Sequence, residues 1–142
     1  TQLFINGKYL EIAVYQRTLK VVESLSKKYN KQFKVYQNVQ VATKEGMLKN
    51  EFDLVIEFDG IFYVLEIKSG KNFREFDKYM HIGREYKIVP GRFLLVNNYF
   101  FDDYTAVAEY FCDYYVSNLT GGSLENKITM MIERDINGDN EE

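Results

Sequence analysis

Hydrophobic and polar positions change their period several times along this chain, and each change marks an element. In residues 8–29, Leu10, Val14, Thr18, Val21 and Leu25 recur at spacings of three and four, with Glu11 beside them. That is the stripe of one buried helix face. Gln32 to Thr43 alternates instead, with Phe33, Val35, Gln37, Val39 and Val41 on one side, and predicts a strand. Residues 44–49, with Gly46, read as a loop, and two more strands follow within Asn50 to Gly70. A helix is predicted over Asn72 to Lys87, with Asn72 as N-cap and Phe73, Phe76, Met80 and Gly83 at helical period. Pro90 and Gly91 stop it. "RFLLVN", Arg92 to Asn97, is nearly continuous in apolar residues, as a strand inside a sheet requires. Asp102 to Ser117 predicts another helix, with Tyr104, Val107, Ala108, Phe111 and Tyr115 on one side. "NLTGGS" ends it, and Ser123 is placed to cap a last helix reaching about Arg134.

The order is helix, three-stranded meander, helix, strand, helix, helix. This predicts an α/β fold, a mixed sheet of about four strands flanked by helices. The step from the third strand through a helix to the fourth is a crossover, expected to be right-handed. No internal repeat or linker interrupts the pattern. One domain is expected over residues 1–136, followed by a flexible acidic tail, 137–142. The first residue is Thr1, which suits a piece cut from a longer protein.

Composition sharpens this picture. The 142 residues include 12 Tyr and 11 Phe, enough apolar volume for a packed core. The single cysteine, Cys112, excludes an internal disulfide and suits a reducing, cytoplasmic setting; it reads as a small buried apolar residue. No apolar run is long enough for a membrane helix, so no membrane partner is expected. His81 is the only histidine and reads as a helix-surface residue, so no histidine-based hydrolase triad is expected. "GG" at 121–122 lacks the lysine and spacing of a phosphate-binding loop. The net charge is −3, but residues 1–50 hold nine Lys and Arg against three acids and residues 101–142 hold two against ten. A basic front can attract phosphates whatever the total charge, although solvated helix faces would give the same pattern.

The candidate chemistry lies in "NEFDLVIEFDGIFYVLEIKSG". Asp59-Gly60 is a strong signal for a two-residue hairpin turn. That turn sets Asp53 opposite Glu66 and Glu51 opposite Lys68. Phe52, Leu54, Ile56 and Phe58 then share an apolar face with Ile61, Tyr63, Leu65 and Ile67. Two carboxylates directly opposite destabilise a sheet unless a positive charge compensates. Lys68, diagonal to Asp53, can do so. A divalent cation can do so more strongly, with the Ile67 carbonyl as a further oxygen ligand.

Asp53 followed by Glu66-Ile67-Lys68 on the next strand resembles the motif of the PD-(D/E)xK nuclease superfamily. The likeness covers roughly residues 7–97, and Glu11, in "GKYLEIAVYQ", matches the first-helix glutamate that often adds a metal ligand. The stretch "NEFDLVIEFDGIFYVLEIKSG" looks especially like the nuclease domains attached to CRISPR cyclic-oligoadenylate sensors. Phe52 stands where the motif name has proline. The helix after the motif has Lys78, Tyr79 and Arg84 where the exonuclease-like branch has a glutamine and tyrosine pair.

The resemblance implies a restriction-endonuclease-like fold and a Mg2+- or Mn2+-dependent endonuclease acting on nucleic acid, DNA before RNA, in defence against foreign genetic elements. It implies Asp53, Glu66 and Lys68 as catalytic residues. Glu11, Asp53, Glu66 and Ile67 would be metal ligands, with Glu51 as another candidate for a second ion or a bound water. Lys71, Arg74 and Lys78 would hold the nucleic-acid backbone. Members often pair to reach two strands, so a homodimer fits as well. The rival expectations are a binding module of the same fold without turnover, and a protein-interaction domain.

Overall fold

A computed structural model describes residues 7–42, 46, 49–68, 76–98, 109 and 114–138. Helix α1 runs Gly7–Tyr29. Asn30 closes it at φ 56°, and the Lys31 N–H returns to the Ser26 carbonyl, so an asparagine takes the left-handed position usual for glycine. Strands β1 (Phe33–Ala42), β2 (Lys49–Phe58) and β3 (Ile61–Lys68) form an antiparallel meander. Helix α2 (Phe76–Glu85) and a 3-10 turn, Pro90–Arg92, lead to β4, Phe93–Asn97. Strand β5 is Tyr115–Ser117, and helix α3 is Ser123–Asn137.

The five strands lie in the order β1-β2-β3-β4-β5, the last three mutually parallel. The α/β class and flanking helices agree with the sequence pattern, with one strand more than expected. The extra strand is the end of the predicted Asp102–Ser117 helix. Tyr115–Ser117 is extended and pairs with Leu94–Val96, because it can bury Val116 completely against β4. Most of that predicted helix, and Cys112, lie outside the described residues. Ser123 does not cap α3. It is the first helical residue, after Gly122, and no side-chain cap bond forms there. The predicted N-cap Asn72 and residues 139–142 of the tail also lie outside the described residues.

Two apolar clusters cover the two faces of the sheet. On one, Leu10, Val14, Val22 and Leu25 of α1 and Leu124, Ile128, Met131 and Ile132 of α3 pack on Leu54, Ile56, Phe58, Tyr63, Leu65, Leu94 and Val96. On the other, Ile82 of α2 packs with Phe52, Val55, Val64, Phe93, Leu95, Tyr114 and Val116. Each fully buried aliphatic side chain contributes about 1.5–3 kcal/mol, so these clusters dominate the stability. Polar clamps then fix the layers. Arg17 of α1 reaches both Glu125 oxygens of α3 (2.7 and 2.6 Å) and the Leu119 and Gly121 carbonyls. Lys28 and Tyr29 both donate to Glu133. Tyr63 and Arg92 share Asp135.

Candidate functional site

The Asp59-Gly60 turn is where the sequence places it, with φ 52° and 80°. Positive φ at both positions is the type I′ geometry that suits a twisted hairpin. The register follows from it: Phe58 faces Ile61, Ile56 faces Tyr63 and Leu54 faces Leu65.

Beyond Leu54–Leu65 the β2–β3 ladder stops. If it continued, the alternating bond pattern would give the Ile67 N–H to the Phe52 carbonyl. Instead the Ile67 N–H donates to Asp53 Oδ2 at 2.7 Å, and the Asp53 N–H donates to Glu66 Oε1 at 3.2 Å. Each carboxylate thus takes a backbone donor from the neighbouring strand. Neither Asp53 with Glu66 nor Glu51 with Lys68 is therefore a laddered pair as the hairpin register predicts; Asp53 and Glu66 meet through side chain and backbone instead. Glu51 pairs with Gln40 of β1, while Lys68 pairs with Asn97 of β4.

The same point breaks the other ladder. On β1–β2 the pairs run from Phe33–Phe58 to Gln37–Leu54 and resume at Val39–Phe52, leaving out Asn38 and Asp53. Asn38 has φ 53° within the strand. The strands exchange faces there. Phe33 and Val35 pack on the α1–α3 side, but Val39 and Val41 pack on the α2 side. On β2, Leu54 belongs to the first cluster and Phe52 to the second, edge-on to the Tyr86 ring at 5.6 Å. This corrects the single apolar face expected for Phe33 through Val41 and for Phe52 with Leu54. A period of two cannot persist through a left-handed residue. Asn38 is the residue that sequence reasoning missed, and an asparagine inside an alternating strand was its only signal.

Four chemically active side chains gather at this opening. Glu11 comes from α1 and hydrogen-bonds to Asp53 of β2, while Lys68 of β3 acts on Asp53 through its charge. Glu66 is 8% exposed, and Asp53, Glu11 and Lys68 are half-buried. Burial pushes the Asp53 carboxyl above the ordinary carboxylate range. The Ile67 N–H, then Glu11, then Lys68 pull it back without cancelling the burial. Three carboxyl groups are thus crowded at a partly desolvated point beside Lys68, two of them hydrogen-bonded to each other.

The donors here are hard carboxylate oxygens, which is the chemistry of a small divalent cation held by one or two carboxylates together with a substrate phosphate. Asp53 and Glu66 fit that description. A closed cage is not formed: among the described residues, no three His, Cys, Asp or Glu side chains are grouped to hold a metal. Lys71 and Arg74 lie outside the described residues. Lys78 lies within α2, with its side chain outside them. His81 is exposed on α2. No described helix is long and apolar enough to cross a membrane.

Fold and site together define an α/β protein with a five-stranded mixed sheet and a carboxylate–lysine cluster where one hairpin opens. No family profile matches the chain, and no curated protein matches it. Among solved structures, the crystal structure of AF1548, a protein of unknown function, aligns with a TM-score of 0.47 and 17% sequence identity. That alignment covers 86% of this chain and 66% of AF1548, so the chain spans just under two thirds of that protein's length.

Proposed function

We propose that this chain is a metal-dependent endonuclease domain of the PD-(D/E)xK kind, hydrolysing phosphodiester bonds of nucleic acid, DNA before RNA, in defence against foreign genetic elements. The observation that carries this reading is the convergence of Glu11, Asp53, Glu66 and Lys68, from three separate elements, where the β2–β3 ladder opens. Desolvated like charges oppose folding, and a bound cation would offset that cost.

Asp53 and Glu66 would hold a Mg2+ or Mn2+ ion, with Glu11 and the Ile67 carbonyl as further oxygen donors. When bound, such an ion supplies Lewis acidity at the phosphate and lowers the pKa of water. The chain's own residues do the rest. The backbone N–H groups of Asp53 and Ile67 fix the two carboxylates, so little reorganisation is needed when a phosphate arrives. Lys68 holds a non-bridging phosphate oxygen, orients the attacking water and offsets the negative charge that develops on phosphorus. One bond forms from the water oxygen to phosphorus as the water gives a proton to solvent, the bond to the departing ribose or deoxyribose oxygen breaks, and solvent protonates that oxygen. Lys71, Arg74 and Lys78 would hold the flanking backbone.

One observation favours a second reading, a nucleic-acid-binding module without turnover: the described residues include no grouped set of three ligands. Incubation with circular single- and double-stranded DNA and with RNA, in Mg2+, Mn2+ or EDTA, beside Lys68→Ala, separates the two. The enzyme cuts only with metal and loses cutting in the variant. The module binds in every condition and cuts in none.

A further inference from the structure

We infer that Asn38, which lies outside the acid–lysine set, is a positioning residue that turns Asp53 out of the sheet and into the site; the inference rests on the function proposed for that site.

Three observations meet at this residue. Asn38 is exposed, and at φ 53° it is the one non-glycine residue with positive φ inside any described strand. L-residues avoid that region, and asparagine tolerates it better than most. No core contact accounts for it. Its cross-strand position is opposite Asp53, and that pair alone is missing from an otherwise unshifted register. No residue is inserted on either strand, so this is not a slip of alignment.

Bond directions show the consequence. Along a strand, successive N–H groups point to opposite neighbours. Leu54 is laddered to Leu65 in a pair that exchanges bonds with β3, so a regular Asp53 N–H would point to β1 and the Asn38 carbonyl. It points instead to Glu66 Oε1 on β3. The peptide has turned from β1 towards β3 at the position where the pairing with Asn38 is missing. The same turn carries Phe52 to the α2 side, against Tyr86, and frees the Ile67 N–H for the Asp53 carboxylate. Backbone strain at one strand residue thus holds the clasp between the two acids. With an extended residue at position 38, the ladder would close, and the Asp53 carboxylate would stand on a regular pleat.

Substitution by Asn38→Gly and Asn38→Val tests this. Glycine adopts the left-handed conformation without strain, and valine favours the extended one. In solution NMR, Asn38→Gly keeps the Phe52–Tyr86 ring contact and the slow exchange of the Ile67 amide. It also keeps metal-induced stabilisation and cleavage within about threefold of the parent. Asn38→Val loses the ring contact and the Ile67 protection, and its kcat falls roughly 100-fold, the scale of a 1 Å misplacement. If Asn38→Val does not fold, Asn38→Ala serves, with losses between the two. The inference is overturned if the valine or alanine variant keeps ring contact and amide protection, or if the glycine variant loses them. A parent protein that neither responds to metal nor cuts would overturn the proposed function while leaving the NMR comparison decisive for Asn38.

Discussion

Asp53 and Glu66 clasp each other's strands: Glu66 accepts the Asp53 N–H, and Asp53 accepts the N–H of Ile67, the residue after Glu66. The hairpin stops being a ladder at this pair and becomes a site. The carboxylates replace backbone carbonyls as acceptors for the Asp53 and Ile67 N–H groups.

A divalent ion is expected to stabilise the folded protein. With Mg2+ or Mn2+ about 100-fold above its Kd, stability rises by about 2.7 kcal/mol, or roughly 5–10 °C in Tm. Differential scanning fluorimetry should show the shift in the parent and lose it in Asp53→Asn and Glu66→Gln. An equal shift in all three proteins would place the metal elsewhere.

Without metal, Asp53→Asn should be more stable than the parent at neutral pH. Burial raises the Asp53 carboxyl in the folded state, so the unfolded chain ionises first as pH rises. Ionisation therefore costs stability from the unfolded pKa, about 3.9, upward. Asparagine removes that cost and still offers an acceptor to Ile67. Urea denaturation at pH 7 in EDTA should give a higher midpoint for the variant, and the two curves should converge at low pH.

Arg17 and Glu125 predict the opposite pH trend. The hydrogen bonds from Arg17 hold the Glu125 carboxyl below its ordinary range. Such a group adds stability above its unfolded pKa and loses it as pH falls. The pair is only partly buried, so Glu125→Gln should cost about 1 kcal/mol at pH 7, and the cost should fade as the pH drops from the unfolded pKa through the lowered folded one. Thermal melts across that range measure the difference.

Tyr63 is 1% exposed and donates to Asp135 at 2.6 Å. Burial first, then Asp135, pushes its phenol well above the ordinary range, so it stays a donor at any working pH. Tyr63→Phe removes that bond and leaves Asp135 to Arg92. A loss of about 1–1.5 kcal/mol in chemical denaturation is expected, with metal-induced stabilisation unchanged.

Local chemistry made much of this legible in the sequence. Asp59-Gly60 dictates a turn, the turn dictates a register, and the register brings Asp53 near Glu66. The α1 stripe placed Glu11 on the helix that packs beside that hairpin. What escaped was non-local. Tyr115–Ser117 fits the end of a helical stripe as well as it fits a strand, and three residues are too few for a period of two to show. The face exchange at Asn38 depends on one backbone angle, and hydrophobic alternation continues through it undisturbed because both faces of the sheet are covered. The Glu51–Lys68 pairing failed for the same reason: the ladder it needs ends at Leu54.

The most direct measurement is single-turnover cleavage of end-labelled DNA and RNA oligonucleotides by the parent and by Glu66→Gln, each in saturating Mg2+ or Mn2+. The proposed function predicts product from the parent and a rate at least about 100-fold lower from the variant, with both proteins equally folded. No product from the parent in either metal, or equal rates from the two proteins, would contradict it.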